Sequence, residues 1–236
     1  MNPTKVAVVT GASQGIGAAI VAAYRAKGYA VVATSRHIEP STDNHVVTVA
    51  GDIRERAVAT RVIATARERF GRIDTLVNNA GIFISKPFVD YTEEDFRNVV
   101  DVNLAGFFHI TQAALPAMLE QRSGHVVQIT TALIEQAIGG LDAGLAFLTK
   151  GGLSAVTRGL AIEYARTGVR FNAIAPGIIR TPMHAPATHE FLAGLHPLGR
   201  MGEVSEIADA ILFLEDAAFV TGETIHVAGG QHAGRA

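Results

Sequence analysis

Residues 10–17 read Thr10-Gly11-Ala12-Ser13-Gln14-Gly15-Ile16-Gly17, and the way this stretch joins its neighbours decides the fold. It follows directly on Val6-Ala7-Val8-Val9, an apolar β-branched run of strand type, and leads into Ile16–Lys27, where apolar residues recur at helical spacing. Glycine at 11, 15 and 17 lets the backbone turn sharply and approach a ligand with no Cβ in the way. The helix start then offers free N–H groups and a partial positive charge to an anion. A strand, glycine turn and helix in this order suit a nucleotide phosphate. A glycine-rich turn that binds nothing would read the same way. The spacing is Gly-x-x-x-Gly-x-Gly rather than Gly-x-Gly-x-x-Gly, and no lysine follows the last glycine.

Working outward, strand-like runs recur at Val6–Thr10, Ala30–Ser35, Val46–Val49, Thr75–Asn78, Val126–Thr130, Val169–Ile174 and Thr224–Val227. Helical periodicity fills Ile16–Lys27, Arg54–Phe70, Glu93–Glu120 and a last stretch near Glu203–Leu214. Strands without strict alternation are buried on both faces, and their alternation with helices gives βαβ units. The expected fold is therefore α/β and doubly wound, a seven-stranded parallel sheet with helices on both faces. No linker or repeat divides the chain, so 1–236 is read as a single domain. Pro116 should kink or end the long helix near its C-terminal end. Residues 176–198 hold four prolines and three histidines, and read as a mobile excursion that becomes a lid if it borders a site.

Charged residues make up 18% of the chain, against about 25% in ordinary domains. The neutral surface this leaves points towards an oligomer. A net charge of -2 argues against a nucleic-acid partner, which needs a basic field. The absence of cysteine removes any disulfide framework or thiolate metal site. The histidines lack a ligand spacing such as His-x-x-x-His, so no metal is expected. The N-terminal run is too short for a signal peptide. No apolar stretch approaches the roughly 20 residues of a membrane span. The expectation is a cytoplasmic protein with no membrane partner.

Several distant motifs join the glycine loop. Asn78-Asn79-Ala80-Gly81 ends the fourth strand, and Asn103-Leu104-Ala105-Gly106-Phe107 lies in the long helix. Pro176-Gly177 closes the sixth strand, with Ile179 and Thr181 after it. Thr221-Gly222-Glu223 and Val227-Ala228-Gly229-Gly230 stand near the C-terminus. In this order they resemble the classical short-chain dehydrogenase/reductase family over almost the whole chain. The resemblance implies a Rossmann-type fold, a nicotinamide dinucleotide cofactor and hydride transfer between it and a small-molecule carbonyl or alcohol substrate. It assigns the cofactor to Gly11, Ser13, Gln14, Gly15, Ile16, Gly17, Ser35, Arg36, Asp52, Ile53, Asn79, Ala80, Gly81, Lys150, Pro176, Gly177, Ile179 and Thr181. It also implies a homotetramer or homodimer built on the long helix and the Lys150 helix, with Phe107, Phe108 and Leu115 as apolar contacts. Those phenylalanines could equally fill the monomer core.

The second strand ends Thr34-Ser35-Arg36. Ser35 stands where NAD-preferring relatives carry an aspartate that binds the ribose hydroxyls, and Arg36 can pair with a 2′-phosphate. NADP(H) is therefore expected over NAD(H). The other reading of Arg36 is a solvated loop arginine, and Gln14 lacks the positive charge many NADP-dependent relatives have there.

The same family delivers a proton to the developing alkoxide from a tyrosine one helical turn before a lysine. Here Asn103 and Lys150 match the family's asparagine and lysine, and Thr131 is the better of two hydroxyls, with Thr130, in the place of its serine. The tyrosine position is Ala146. The nearest downstream tyrosine is Tyr164, about 21 Å along a helix from Lys150. Three readings stay open. A relocated acid could act, His184 first and Glu135 or Asp142 after it, with His189 and His196 having less claim and His109 and His125 read as structural. Water or Lys150 itself could supply the proton. A catalytically inert dinucleotide-binding protein, with a sensing or assembly role, is the third. Gly151 and Gly152 inside a helix cost about 1 kcal/mol each relative to alanine, so a close approach to that helix is expected.

Overall fold

The computed structural model describes residues 4–234; the first three and last two residues of the 1–236 domain lie outside it. Strands β1 (Val6–Thr10), β2 (Ala30–Ser35), β3 (Val46–Ala50), β4 (Thr75–Asn78), β5 (Gly124–Ile129), β6 (Val169–Pro176) and β7 (Thr224–Val227) form one sheet. It is wholly parallel, in the order β3-β2-β1-β4-β5-β6-β7. This is the seven-stranded doubly wound sheet that the sequence implies.

Both faces of β1 are buried, which is why its sequence does not alternate. Val6 and Val8 join a core with Val62 and Ala59 of helix α2 (Arg56–Phe70) and Ile110, Ala114 and Met118 of α4 (Gly106–Gln121). Ala7 and Val9 face the other way, towards Ile20 and Tyr24 of α1 (Gly15–Ala26). They also meet Ile207, Ile211 and Leu214 of the last long helix, Val204–Asp216. Helix α5 (Gly144–Glu163) lies on the α2–α4 side and buries Leu145, Ala146, Thr149, Leu153, Thr157 and Ala161, a stripe at helical spacing.

Three expectations are corrected here. The helix does not end at Pro116, and α4 continues to Gln121. The real interruption lies earlier. Helix α3 (Glu93–Val100) passes into α4 through one wide π turn, Asp101–Ala105, which carries Asn103. Counted through that turn, Glu93–Gln121 spans 29 residues and contains an 18-residue window of mean hydropathy 1.2, enough by length and composition to cross a membrane. The charges gathered in α3 hide this length in the sequence. Ile110, Ala114 and Met118 pack it against the sheet as a core helix. Finally, nothing among the described residues crowds Gly151, and the nearest atom to a Cβ at Gly152 is Leu104 Cδ2 at 3.9 Å. Among the described residues the two glycines meet no close approach.

A polar knot closes the lower end of the sheet, opposite the strands' C-terminal ends. Glu215 accepts from Tyr24 Oη at 3.2 Å, Tyr29 Oη at 3.0 Å, Thr75 Oγ1 at 2.7 Å and His125 Nδ1 at 3.1 Å. His125 Nε2 in turn accepts from Asn172 Nδ2 at 3.1 Å. Burial drives the Glu215 carboxyl upward, but these donors outweigh it and hold its pKa at about 2. His125 is therefore structural, with burial holding its pKa down.

Candidate active site

Strand order reverses between β1 and β4, and a crevice forms where the flanking loops diverge. A cleft of about 540 Å³ opens there, beyond the C-terminal ends of the strands. Every residue that the motifs assign to the cofactor lines it, from Ser13, Ser35 and Arg36 on the β2 side to Lys150 and Thr181 on the β5–β6 side.

The glycine loop is built for close approach. Gly11 has φ +64°, and a Cβ on it would sit 2.9 Å from Ala80 Cα. A Cβ on Gly17 would strike the Gly11 carbonyl. Asn79 fixes the loop to β4 by donating from Nδ2 to the carbonyls of Thr10 at 3.0 Å and Gly11 at 3.1 Å. Thr10 Oγ1 accepts the N–H groups of both Asn79 and Ala80 at 3.0 Å. The first turn of α1 holds no acidic residue and no side chain caps it. Its free N–H groups face the cleft and fit a phosphate.

At the end of β2, Ser13 and Ser35 share a hydrogen bond at 3.0 Å between their hydroxyls. The exposed Arg36 guanidinium stands next to them on the cleft wall. The nearby Asp52 carboxylate is already engaged by Arg54 at 2.8 Å, and that bond holds its pKa below the usual carboxylate range.

Helix α5 carries Lys150 to the other side of the cleft. Its Nζ donates to the carbonyl of Ile129 at the end of β5, at 2.7 Å. Burial alone brings the amine's pKa down to about 8. Asn103, 1% exposed, stands behind the cleft wall. Its Oδ1 accepts from Ile82 N at 2.9 Å, and its Nδ2 donates to Ile82 O and Thr149 Oγ1, each at 3.1 Å. The π turn delivers this amide between the β4 loop and α5. A Cβ on Gly81 would lie 3.1 Å from Lys150 Nζ and 3.2 Å from Asn103 Oδ1. Only glycine leaves the space between them open.

The two candidate hydroxyls separate clearly. Thr130 donates to the Ile174 carbonyl at 3.0 Å. Thr131 accepts from Leu133 N at 3.3 Å, so its own proton stays available to a ligand. Ala146 lines the cleft at 4% exposure, within an apolar cluster of Leu133, Ile138 and Ala143. No other side chain fills the tyrosine's place with an acid. Among the described lining residues the ionisable ones are Arg36, Asp52, Lys150 and His184. Burial, then the charge of His189, lowers the His184 pKa.

Several sequence-level candidates fall outside the cleft. Glu135 and Asp142 do not line it, because the segment leading to α5 turns them away. His189 is occupied with Arg180 at 3.3 Å and the His184 carbonyl at 3.2 Å. His196 is buried. Leu192 lines the cleft, and its neighbour Phe191 is 69% exposed. The sequence reading misses Phe83, Val102, Leu133 and Leu141 on the wall; they are ordinary apolar residues that only the packing brings to the site.

A family model described as enoyl-(acyl carrier protein) reductase matches residues 11–232. The 3-oxoacyl-[acyl-carrier-protein] reductase FabG of Escherichia coli K12 is 33% identical over 244 residues, covering 97% of each chain. The solved structure of ElxO with NADP bound superposes with a TM-score of 0.90 at 28% identity, covering 98% of this chain and 100% of that one. The 3-ketoacyl-(acyl-carrier-protein) reductase from Brucella melitensis complexed with NADH gives a TM-score of 0.91 at 27% identity, covering 98% and 99%.

Proposed function

The chain belongs to the short-chain dehydrogenase/reductase family, and from that membership we propose an NADP(H)-preferring enzyme that moves a hydride between nicotinamide and a carbonyl or alcohol using a non-standard proton donor. At the coarser level it is an oxidoreductase of this family, using a nicotinamide dinucleotide. The observation that carries the finer reading is the open space at Gly81 flanked by Lys150 Nζ and Asn103 Oδ1. The catalytic framework is kept, with a hydroxyl at Thr131 in the serine's place, and Ala146 is the one sharp departure from it.

In this reading the α1 N-terminus and glycine loop hold the pyrophosphate, and Lys150 holds the ribose next to the nicotinamide. Ser13, Ser35 and Arg36 receive the 2′-phosphate, supported by the engagement of the nearby Asp52 carboxylate with Arg54. The bound dinucleotide supplies or accepts the hydride. Thr131 Oγ1 donates to the substrate oxygen, and Asn103 keeps the Ile82 loop and α5 at fixed separation. His184 is the proposed proton carrier. Its lowered pKa leaves it neutral near pH 7, ready to accept a proton during alcohol oxidation and protonated for carbonyl reduction only at lower pH. The apolar wall of Leu133, Leu141, Ile178, Met183 and Leu192 favours a hydrophobic substrate.

The alternative, a dinucleotide-binding protein without turnover, is favoured by the apolar setting of Ala146. A screen of carbonyls and alcohols with NADPH and NADH, run on the parent and on Lys150→Ala, His184→Ala and Ala146→Tyr, separates the two. Activity lost in His184→Ala supports the relocated carrier. Activity appearing only in Ala146→Tyr, or tight binding with no turnover in any variant, supports the inert reading. We extend the proposal to a homotetramer joined through α4 and α5, supported by the exposure of Phe108, Leu148 and Ile162. Light scattering that shows a monomer at micromolar concentration would remove it.

A further inference from the structure

We propose that His196 is a positioning residue whose one neutral tautomer ties together two walls of the substrate cleft. Treating those walls as substrate walls rests on the hydride-transfer reading above. The ring is 4% exposed and makes two bonds within the 176–198 segment. Nε2 accepts the N–H of Ile178 at 2.9 Å, and Nδ1 meets the Leu192 carbonyl at 3.1 Å. An N–H can only donate and a carbonyl can only accept, so Nε2 must be bare and Nδ1 must carry the hydrogen. Ile178 and Leu192 both line the cleft. One imidazole therefore sets their separation across a proline-rich excursion whose helical turns, Pro186–Thr188 and His189–Ala193, are too short to hold themselves.

The surroundings make the lock sensitive to a proton. A second hydrogen, on Nε2, would face the Ile178 N–H donor to donor, and that bond is lost while the Leu192 bond survives. The small cavity under the ring is also lined by Arg200 and Glu206, which are bonded to each other at 2.6 and 2.9 Å. Gln231, on the turn after β7, is the other polar neighbour. A Cβ on Gly177 would lie 2.8 Å from His196 Nε2 and 3.0 Å from Gln231 Oε1. The buried Gln231 amide has no hydrogen-bond partner among the described residues, so it offers an acceptor beside the protonated ring. Burial holds the His196 pKa below its ordinary value against the Leu192 and Ala193 carbonyls, which favour the charged ring, and the charge of Arg200 adds to the lowering. The lock is closed at neutral pH and opens in acid.

Hydrogen exchange of the Ile178 amide on the full chain, corrected for intrinsic rates, reads the lock without turnover. A net hydrogen bond of about 1 to 1.5 kcal/mol corresponds to roughly tenfold slower opening. We expect about tenfold faster exchange in His196→Phe than in the parent near pH 7. His196→Gln, whose Oε1 takes the place of Nε2, should stay within about threefold of the parent. Acidifying through and below the ordinary imidazole range should bring the parent towards His196→Phe and leave His196→Gln unchanged. With an acetoacetyl thioester as the probe, His196→Phe should raise KM about tenfold with kcat within about threefold, and His196→Gln should restore it. Equal Ile178 protection in the parent and His196→Phe, or an acid response kept in His196→Gln, overturns the proposal. An intact lock in a protein that turns over nothing would instead count against the oxidoreductase reading.

Discussion

Replacing Lys150 with methionine should make the ligand-free protein more stable at neutral pH, even though the cleft is arranged around that lysine. Burial lowers the amine's pKa from 10.5 to about 8, which corresponds to a penalty of about 3.4 kcal/mol on the charged form at 1.36 kcal/mol per pH unit. Lys150 is partly open to the cleft, so solvent screening leaves roughly half of that, about 1.7 kcal/mol. Methionine has similar length but forgoes the bond to the Ile129 carbonyl, worth about 1 kcal/mol. The net gain is about 0.7 kcal/mol, or roughly 2 °C in Tm for a domain of this size. Between pH 8 and 10.5 the native state binds fewer protons than the unfolded chain, so the parent gains stability as pH rises through this window. By about pH 10 most of the penalty is gone, and the methionine variant should be the less stable protein. Denaturant unfolding of both proteins near pH 7 and pH 10 should therefore show a change of sign. Equal destabilisation of Lys150→Met at both pH values would refute the reasoning.

Glu215→Gln should cost about 2 kcal/mol or more, because four donors lose a charged acceptor. Its parent should lose stability as pH falls from 4.5 towards 2, the window in which the depressed native carboxyl still resists protonation; urea titrations at several pH values test both. Arg36→Ala should weaken NADPH binding roughly 10- to 100-fold by removing a charge-assisted bond, and change NADH binding by less than about threefold, as calorimetry can measure. Gly11→Ala, which forces a Cβ into a φ of +64° and against Ala80, should lower stability by about 2 kcal/mol and weaken both dinucleotides in the same titration.

Legibility of the sequence follows from the range over which each signal acts. The strands read well because a strand buried on both faces is a continuous apolar run, as Val6–Val9 is, and the glycine loop reads well because its backbone needs are local. The π turn at Asp101–Ala105 left no mark, since the apolar pattern on either side continues across it while one residue is gained. Pro116 is a strong local signal that was half legible, since α4 does not end there but runs on to Gln121. At the site, Lys150, Thr131 and Gly81 were visible through their motifs, whereas Leu133 and Leu141 were not, because an apolar wall residue has the same composition as a core residue. Glu135 and Asp142 show the limit of sequence distance as a guide. Both sit near Lys150 in the chain, and the loop turns them away from the cleft. The two roles open to His196, lid acid or structural clamp, depend on which atoms its ring nitrogens face, and spacing carries no information about that.

The wide turn under Asn103 makes chain length itself a constraint. A π turn absorbs one extra residue without changing the phase of the helix on either side, so deleting a single residue between Asp101 and Ala105 would let it relax into ordinary α-helix with α3 and α4 still in register. Asn103 would leave Ile82 and Thr149, while the Thr92–Asp95 cap at the start of α3 would keep its place on the Lys86 loop, to which Asp95 is bonded at 2.6 Å. A deletion within regular α3 or α4 would shift the phase by about 100°, and one on this turn would not. A one-residue gap here should therefore spare the fold and cost the site its Asn103 amide.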